Sequence, residues 1–149
     1  MIELDLLSFQ DKLQIRHTES QQWLFDPIRR KWLVLQPEEL VRQLLVQYLL
    51  ARGYSKNQIA IEKELIINGL QRRFDLLIYN TNTQPWLLAE CKAPQVSLSD
   101  AAFRQIAQYN LALYVPYVLI TNGLHTYCCQ MDYAAQSYAF VQEVPPPNR

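Results

Sequence analysis

Glu90 and Lys92 lie two residues apart in W-L-L-A-E-C-K-A-P, residues 86–94. A β-strand alternates faces with period two, so both point to one side and Cys91 to the other. Upstream, F-D-L-L-I-Y at 74–79 reads as the partner strand of a hairpin. If that hairpin is symmetric about Asn82-Thr83, Asp75 falls directly across from Glu90. Like charges in that position destabilise a sheet, so the pair requires positive charge beside it. A divalent cation together with Lys92 would supply it. Carboxylate oxygens are hard ligands that select Mg²⁺ or Mn²⁺ and leave coordination positions for water and phosphate oxygens. Such an ion acidifies its bound water, polarises a phosphodiester and neutralises developing charge. Lys92, held beside two carboxylates, stays protonated without metal, which fits an orienting or charge-stabilising role better than that of a general base. The bland alternative is a structural ion pair of Lys92 with Glu90 and Asp75.

Neighbouring elements offer lesser contributors. Asn68-Gly69 is a strong hairpin signal between Ile59–Ile67 and Arg72–Tyr79. That register sets Glu64 opposite Arg73 and Glu62 opposite Asp75. Glu62 is therefore a weaker candidate for the acidic patch, with a solvent-facing position as the alternative. Arg73 shares the face of Asp75, where it could meet a phosphate or simply pair with Glu64. Pro37 opens a helix reaching to about Arg52, with Glu38 and Glu39 in its first turn, where the helix dipole favours acids. The apolar stripe is Leu40, Val41, Leu44, Leu45, Tyr48 and Leu49. Glu38 lies at its edge and can reach inward, whereas Glu39 points almost the opposite way. Plain dipole complementation would explain both.

These residues need a scaffold, and 149 residues fit one domain with a hydrophobic core independent of staples. Lys+Arg 14 balances Asp+Glu 14, so contact with a polyanion must come from local patches. Cys91, Cys128 and Cys129 are odd in number and lack C-x-x-C spacing, which reads as buried reduced thiols in a cytoplasmic protein. No signal peptide or 18-residue apolar run is present, so neither export nor membrane insertion is expected. Residues 1–36 read as an N-terminal β-hairpin extension, in which 23–25 and 31–35 flank a turn at 26–30. The cluster Arg29-Arg30-Lys31 there could touch phosphates but more commonly marks a solvated turn. Residues 37–141 form the main domain, and the Pro-rich segment 142–149 reads as a flexible tail.

Within the main domain, the nearly continuous apolar run 86–91 is the pattern of a central strand covered on both faces. Ser97 or Ser99 can cap a second helix to about Tyr114, with Phe103, Ile106, Asn110 and Leu113 inward. Residues 116–121 form a strand that the crossover makes parallel to 86–91. His125–Met131 follows beyond the turn at Asn122-Gly123, and 138–141 adds an edge. His17 and His125 have no nucleophile or ligand partner in the pattern and read as structural.

In this order of elements the chain resembles the PD-(D/E)xK nuclease superfamily, in which an Asp followed by Glu-x-Lys builds the active site. More narrowly it is similar to the N-terminal nuclease domain of type I restriction enzyme R subunits. The likeness rests on P-E-E-L-V-R-Q at 37–43, R-F-D-L-L-I-Y at 73–79, A-E-C-K-A-P at 89–94 and the pair Gln105-x-x-x-Tyr109, and it covers roughly residues 23–131. Each motif alone is weak; four in order on the right elements are specific. Phe74 stands where the superfamily name has proline, a tolerant position. The resemblance implies an α/β (α+β) fold, a restriction-endonuclease-like αβββαβ core whose mixed central sheet is flanked by helices. It implies Asp75, Glu90 and Glu38 as ligands of Mg²⁺ or Mn²⁺, Lys92 as the catalytic lysine, and Gln105 and Tyr109 near the DNA. The expected activity is metal-dependent hydrolysis of DNA phosphodiesters. No G-x-x-x-x-G-K-[ST] phosphate loop occurs, so translocation or targeting would come from a partner subunit, unless the nuclease is free-standing. A catalytically silent nucleic-acid-binding or assembly module with the same fold is the alternative, consistent with neutral net charge.

Overall fold

The computed structural model describes residues 1–67, 69–109 and 114–147. The core of the fold is a six-stranded mixed sheet in the sequential order β4 (Ile59–Ile67), β5 (Leu70–Tyr79), β6 (Pro85–Cys91), β7 (Tyr117–Thr121), β8 (Thr126–Asp132) and β9 (Ser137–Phe140). Only β6 and β7 run parallel, as the intervening helix α2 (Asp100–Tyr109) requires. Helix α1 (Pro37–Ala51) precedes the sheet, giving the α+β, restriction-endonuclease-like arrangement expected from the sequence.

The continuous apolar strands are explained by a helix on each face. On one side, Val41, Leu45, Val46 and Leu49 of α1 pack on Leu76, Ile78, Leu87, Ala89, Cys91, Leu119 and Cys128. On the other, Phe103 and Ala107 of α2 pack with Val118, Ile120, Cys129 and Met131. All three cysteines are buried free thiols. Pro at the first helical position and Glu38 and Glu39 in the first turn start α1. The Ser99 hydroxyl accepts the N–H of Ala102 at the start of α2. Asn68, Asn110 and Leu113, read as turn and helix-stripe residues, lie outside the described residues.

The N-terminal segment forms more than a hairpin. After a 3-10 helix at Leu6–Lys12, strands β1 (Ile15–His17), β2 (Gln22–Asp26) and β3 (Lys31–Val34) make a three-stranded antiparallel sheet. Its β2–β3 turn is set by Asp26, whose Oδ1 accepts the N–H groups of Ile28 (2.8 Å) and Arg29 (3.1 Å).

Residues 144–147, expected from composition as a flexible tail, have no helix or strand but are packed down. Val144 is fully buried, the Arg52 guanidinium donates to its carbonyl, and the Tyr54 hydroxyl donates to that of Pro145. Proline-rich composition signals a lack of regular structure, and here side chains from the end of α1 satisfy the carbonyls instead. Among the described residues, no helix is long and apolar enough to cross a membrane.

Candidate active site

Asp75 and Glu90 meet where the central ladder opens. The β5–β6 register runs Leu76↔Ala89, Leu77↔Leu88, Ile78↔Leu87, so its continuation sets Asp75 across from Glu90 as counted from the sequence. The turn differs from a symmetric one, because the register shifts between Ile78 and Tyr79 and a loop around Asn80 closes the hairpin. Beyond Leu76 the Asp75 side chain takes over from the backbone: its Oδ2 accepts the Cys91 N–H at 2.8 Å. That bond fixes one oxygen of the carboxylate at the end of β6.

Burial and the adjacent Asp75 charge raise the Glu90 pKa to about 8, against a smaller opposing pull from Lys92. Glu38 adds a further upward push. A carboxyl kept neutral beside a like charge is how two carboxylates coexist at a site without a cation between them. Lys92 follows β6 with its backbone N–H on the Thr121 carbonyl, at 2.8 Å. Among the described residues its ammonium makes no ion pair, so the alternative of a structural pair with Glu90 or Asp75 is not realised.

On the other side of β5 a single rung is missing. Ile61↔Leu76 and Lys63↔Phe74 pair normally, and between them Glu62 and Asp75 do not. Glu62 has φ +53, a left-handed conformation uncommon outside glycine. Phe74 and Leu77 pack in one cluster while Leu76 packs in another, so strict alternation also lapses at Asp75. The guanidinium of Arg42 fills the gap, with Nη1 3.5 Å from Glu62 and Nη2 3.5 Å from Asp75.

Arg42 was not singled out by the apolar stripe of α1, yet its side chain is only 7 % exposed. It also reaches Glu39 at 3.2 Å and Glu38 at 3.9 Å. The exposures of the two helix acids are the reverse of what the stripe implies, although Glu38 stays close enough for its charge to act on Glu90. Glu39, expected to point away, is 13 % exposed and bonded to Arg29, Arg42 and Gln43; Glu38, expected to reach inward, is 49 % exposed. The side of α1 that the stripe assigns to solvent is met at Glu39 by Arg29 of the N-terminal β2–β3 turn. Arg29, read as part of a solvated turn, enters from it: Nη2 lies 2.6 Å from Glu39 and Nη1 3.2 Å from Glu62, while Nε is bonded to the fully buried Asp26. Burial opposes the Arg29 charge, but the bonds to Asp26 and Glu39 outweigh it and hold the pKa above the ordinary arginine value.

Arg73 pairs with Glu62 at 2.8 Å rather than with its cross-strand neighbour Glu64, which accepts from Gln71 instead. Burial pushes the Glu62 pKa up, but the Arg73 bond and the charges of Arg42, Arg73 and Arg29 prevail and hold it below the usual carboxylate value. Glu62 is thus a partner of three arginines rather than a solvent-facing acid. Gln105 is exposed on α2 and forms no hydrogen bond to the acidic patch among the described residues; the side chain of Tyr109 lies outside them.

Among the described residues no three His, Cys, Asp or Glu side chains converge as a ready-made metal cage. The donor set is the close pair Asp75 and Glu90, with Glu38 near enough to be felt electrostatically. Two carboxylates suffice for Mg²⁺, which keeps several waters and completes its shell with substrate phosphate. A family model described as the type I restriction enzyme R protein N terminus matches residues 37–145. No curated protein matches the chain.

Proposed function

The chain belongs to the family of type I restriction enzyme R protein N termini, and from that premise we propose that it is a metal-dependent deoxyribonuclease hydrolysing DNA phosphodiesters. The observation that carries the reading is the β5–β6 register that sets Asp75 across from Glu90, with Asp75 Oδ2 held on the Cys91 N–H, at the end of the strand that continues to Lys92. Strongly shifted carboxyls joined to a like-charged partner mark sites prepared for a cation.

Asp75 and Glu90 would hold Mg²⁺ or Mn²⁺, with Glu38 joining from α1 through a change of side-chain rotamer. Bound there, the ion supplies Lewis acidity toward the phosphodiester and acidifies water. A cation held there would compensate the charge that keeps Glu90 protonated and so favour its ionised form. The Cys91 N–H keeps Asp75 aimed while this happens. Lys92, unpaired with any carboxylate among the described residues, orients the attacking water and stabilises negative charge growing on the phosphate. Arg73, 59 % exposed, contacts the backbone of the substrate. DNA is the partner.

The test is degradation of plasmid DNA with Mg²⁺ or Mn²⁺ by the native chain, Asp75→Ala and Lys92→Ala. Loss in both variants is expected; equal activity in all three samples rejects the assigned site. One observation favours a second reading, a catalytically silent DNA-binding or assembly module: Arg42 already stands against Asp75 Oδ1. Calorimetric titration with Mn²⁺ separates the two, since the silent module predicts no binding, or binding indifferent to Glu90→Ala.

A further inference from the structure

We propose that the N-terminal sheet is a working part of this site, and that Arg29 is a positioning residue which, through Glu39, holds Arg42 in the gap between Glu62 and Asp75. The inference rests on the nuclease reading but on different residues. Arg29 precedes residues 37–145, so it lies outside the segment shared with the family.

Arg29 is committed before it reaches the site. Asp26, fully buried, spends Oδ1 on the turn N–H groups and Oδ2 on Arg29 Nε, which fixes the direction of the guanidinium. Its two terminal nitrogens then fork onto Glu39 and Glu62. A planar fork of this kind is specific to arginine. Glu39 is held in turn at both oxygens: Oε1 is shared between Arg29 and Arg42, and Oε2 accepts from the buried Gln43 at 3.3 Å.

Arg42 itself is loosely held. Its Nε is buried without a partner, and its terminal nitrogens stand 3.2 to 3.9 Å from four different carboxylates. No single pairing fixes it, so its position is set by the balance of charge around it. Arg29 takes up much of the charge of Glu39 and Glu62. Without it, both acids draw Arg42 toward themselves and away from Asp75. The catalytic carboxylate then loses its lateral support, and the field at the metal position becomes more negative.

These two effects have opposite signs, which distinguishes positioning from mere structural stapling. In the full chain, Arg29→Gln is expected to lower kcat on duplex DNA about tenfold or more while KM stays within about twofold. The same variant should bind Mn²⁺ several times more tightly in calorimetry, because one positive charge has left. Arg29→Lys restores wild-type Mn²⁺ affinity but only part of kcat, since it returns the charge without the fork. Glu39→Gln shifts Mn²⁺ affinity the other way, to weaker binding, and carries the test if Arg29→Gln does not fold. Unchanged kcat and Mn²⁺ affinity in Arg29→Gln, or parallel losses in both that track the unfolded fraction, overturn the proposal. A native chain without nuclease activity would defeat the functional reading alone, because the opposed Mn²⁺ shifts of Arg29→Gln and Glu39→Gln still report the positioning.

Discussion

Arg42 Nη2 stands 3.5 Å from Asp75 Oδ1, inside the one rung of the β4–β5 ladder that the backbone leaves unpaired. An internal cation therefore neutralises one of the two acids expected to hold metal. Burying a charge is tolerated only when partners repay its desolvation, and here each partner depends on the others.

Removing that cation should therefore expose a large penalty. Arg42→Ala leaves Glu39 and Asp75 undercompensated, and a loss of roughly 3–5 kcal/mol is expected in urea denaturation. Millimolar Mn²⁺ should raise the melting temperature of the variant by more than that of the native chain, since a divalent ion can replace the lost charge. An equal rise in both would show that Arg42 and the metal do not share a site.

The pH dependence follows from Glu90. Its folded pKa of about 8 exceeds the ordinary value of 4.5, so folding favours the protonated form. The stability this contributes is fully present below pH 4.5 and is lost as pH rises through about 8. Metal-free protein should melt progressively lower across that window, and Glu90→Gln, always neutral, should follow a flatter profile. Mn²⁺ binding near neutral pH should release close to one proton, measurable by calorimetry in buffers of different ionisation enthalpy. No proton release would mean that Glu90 is already ionised or takes no part.

Asp75 and Lys92 should separate binding from chemistry. Lys92→Met is expected to retain Mn²⁺ binding while kcat falls on the order of a hundredfold or more, the usual cost of losing a charge aimed at the transition state. Asp75→Asn should lose both. A Lys92→Met variant that cleaves DNA at the native rate would remove lysine from the mechanism.

Two glycines provide a check on the scaffold. Gly123 has φ +90, and a Cβ there would meet Val41 Cγ2 at 3.2 Å; Gly69 has φ +78 with nothing near. Gly123→Ala should cost roughly 1–3 kcal/mol, from strain plus the clash with α1, and Gly69→Ala less. Equal costs by denaturant titration would show that backbone strain alone decides at both positions.

Much of the sheet was legible because strand pairing obeys counting. The match Glu64↔Arg73, the parallel pair β6–β7 and the approach of Asp75 to Glu90 all follow from turn positions and period two. Arg42 and Gln43 were not legible, because an apolar stripe marks only the side of α1 that faces the sheet. Both are buried all the same, which hydrophobic periodicity cannot announce. Of Arg29, Arg30 and Lys31, nothing in the charge run selects the one that turns inward. The available signal was Asp26 before Pro27, an acid placed to cap its own turn and so to orient Arg29. The left-handed Glu62 left no trace in a strand-like sequence, and the three arginines it meets come from other elements.

The packing of residues 144–147 turns α1 into a ruler. Arg42 marks the acidic patch near one end, and at the other Arg52 grips the Val144 carbonyl while Pro147 lies beside Gly53. Ten residues of helix separate the two arginines by about 15 Å along the axis. A spectroscopic label at position 147 would therefore sit beside the end of α1 without crowding the acids. Its distance to Mn²⁺ bound at Asp75 and Glu90, read by paramagnetic relaxation, would locate the ion on that scale.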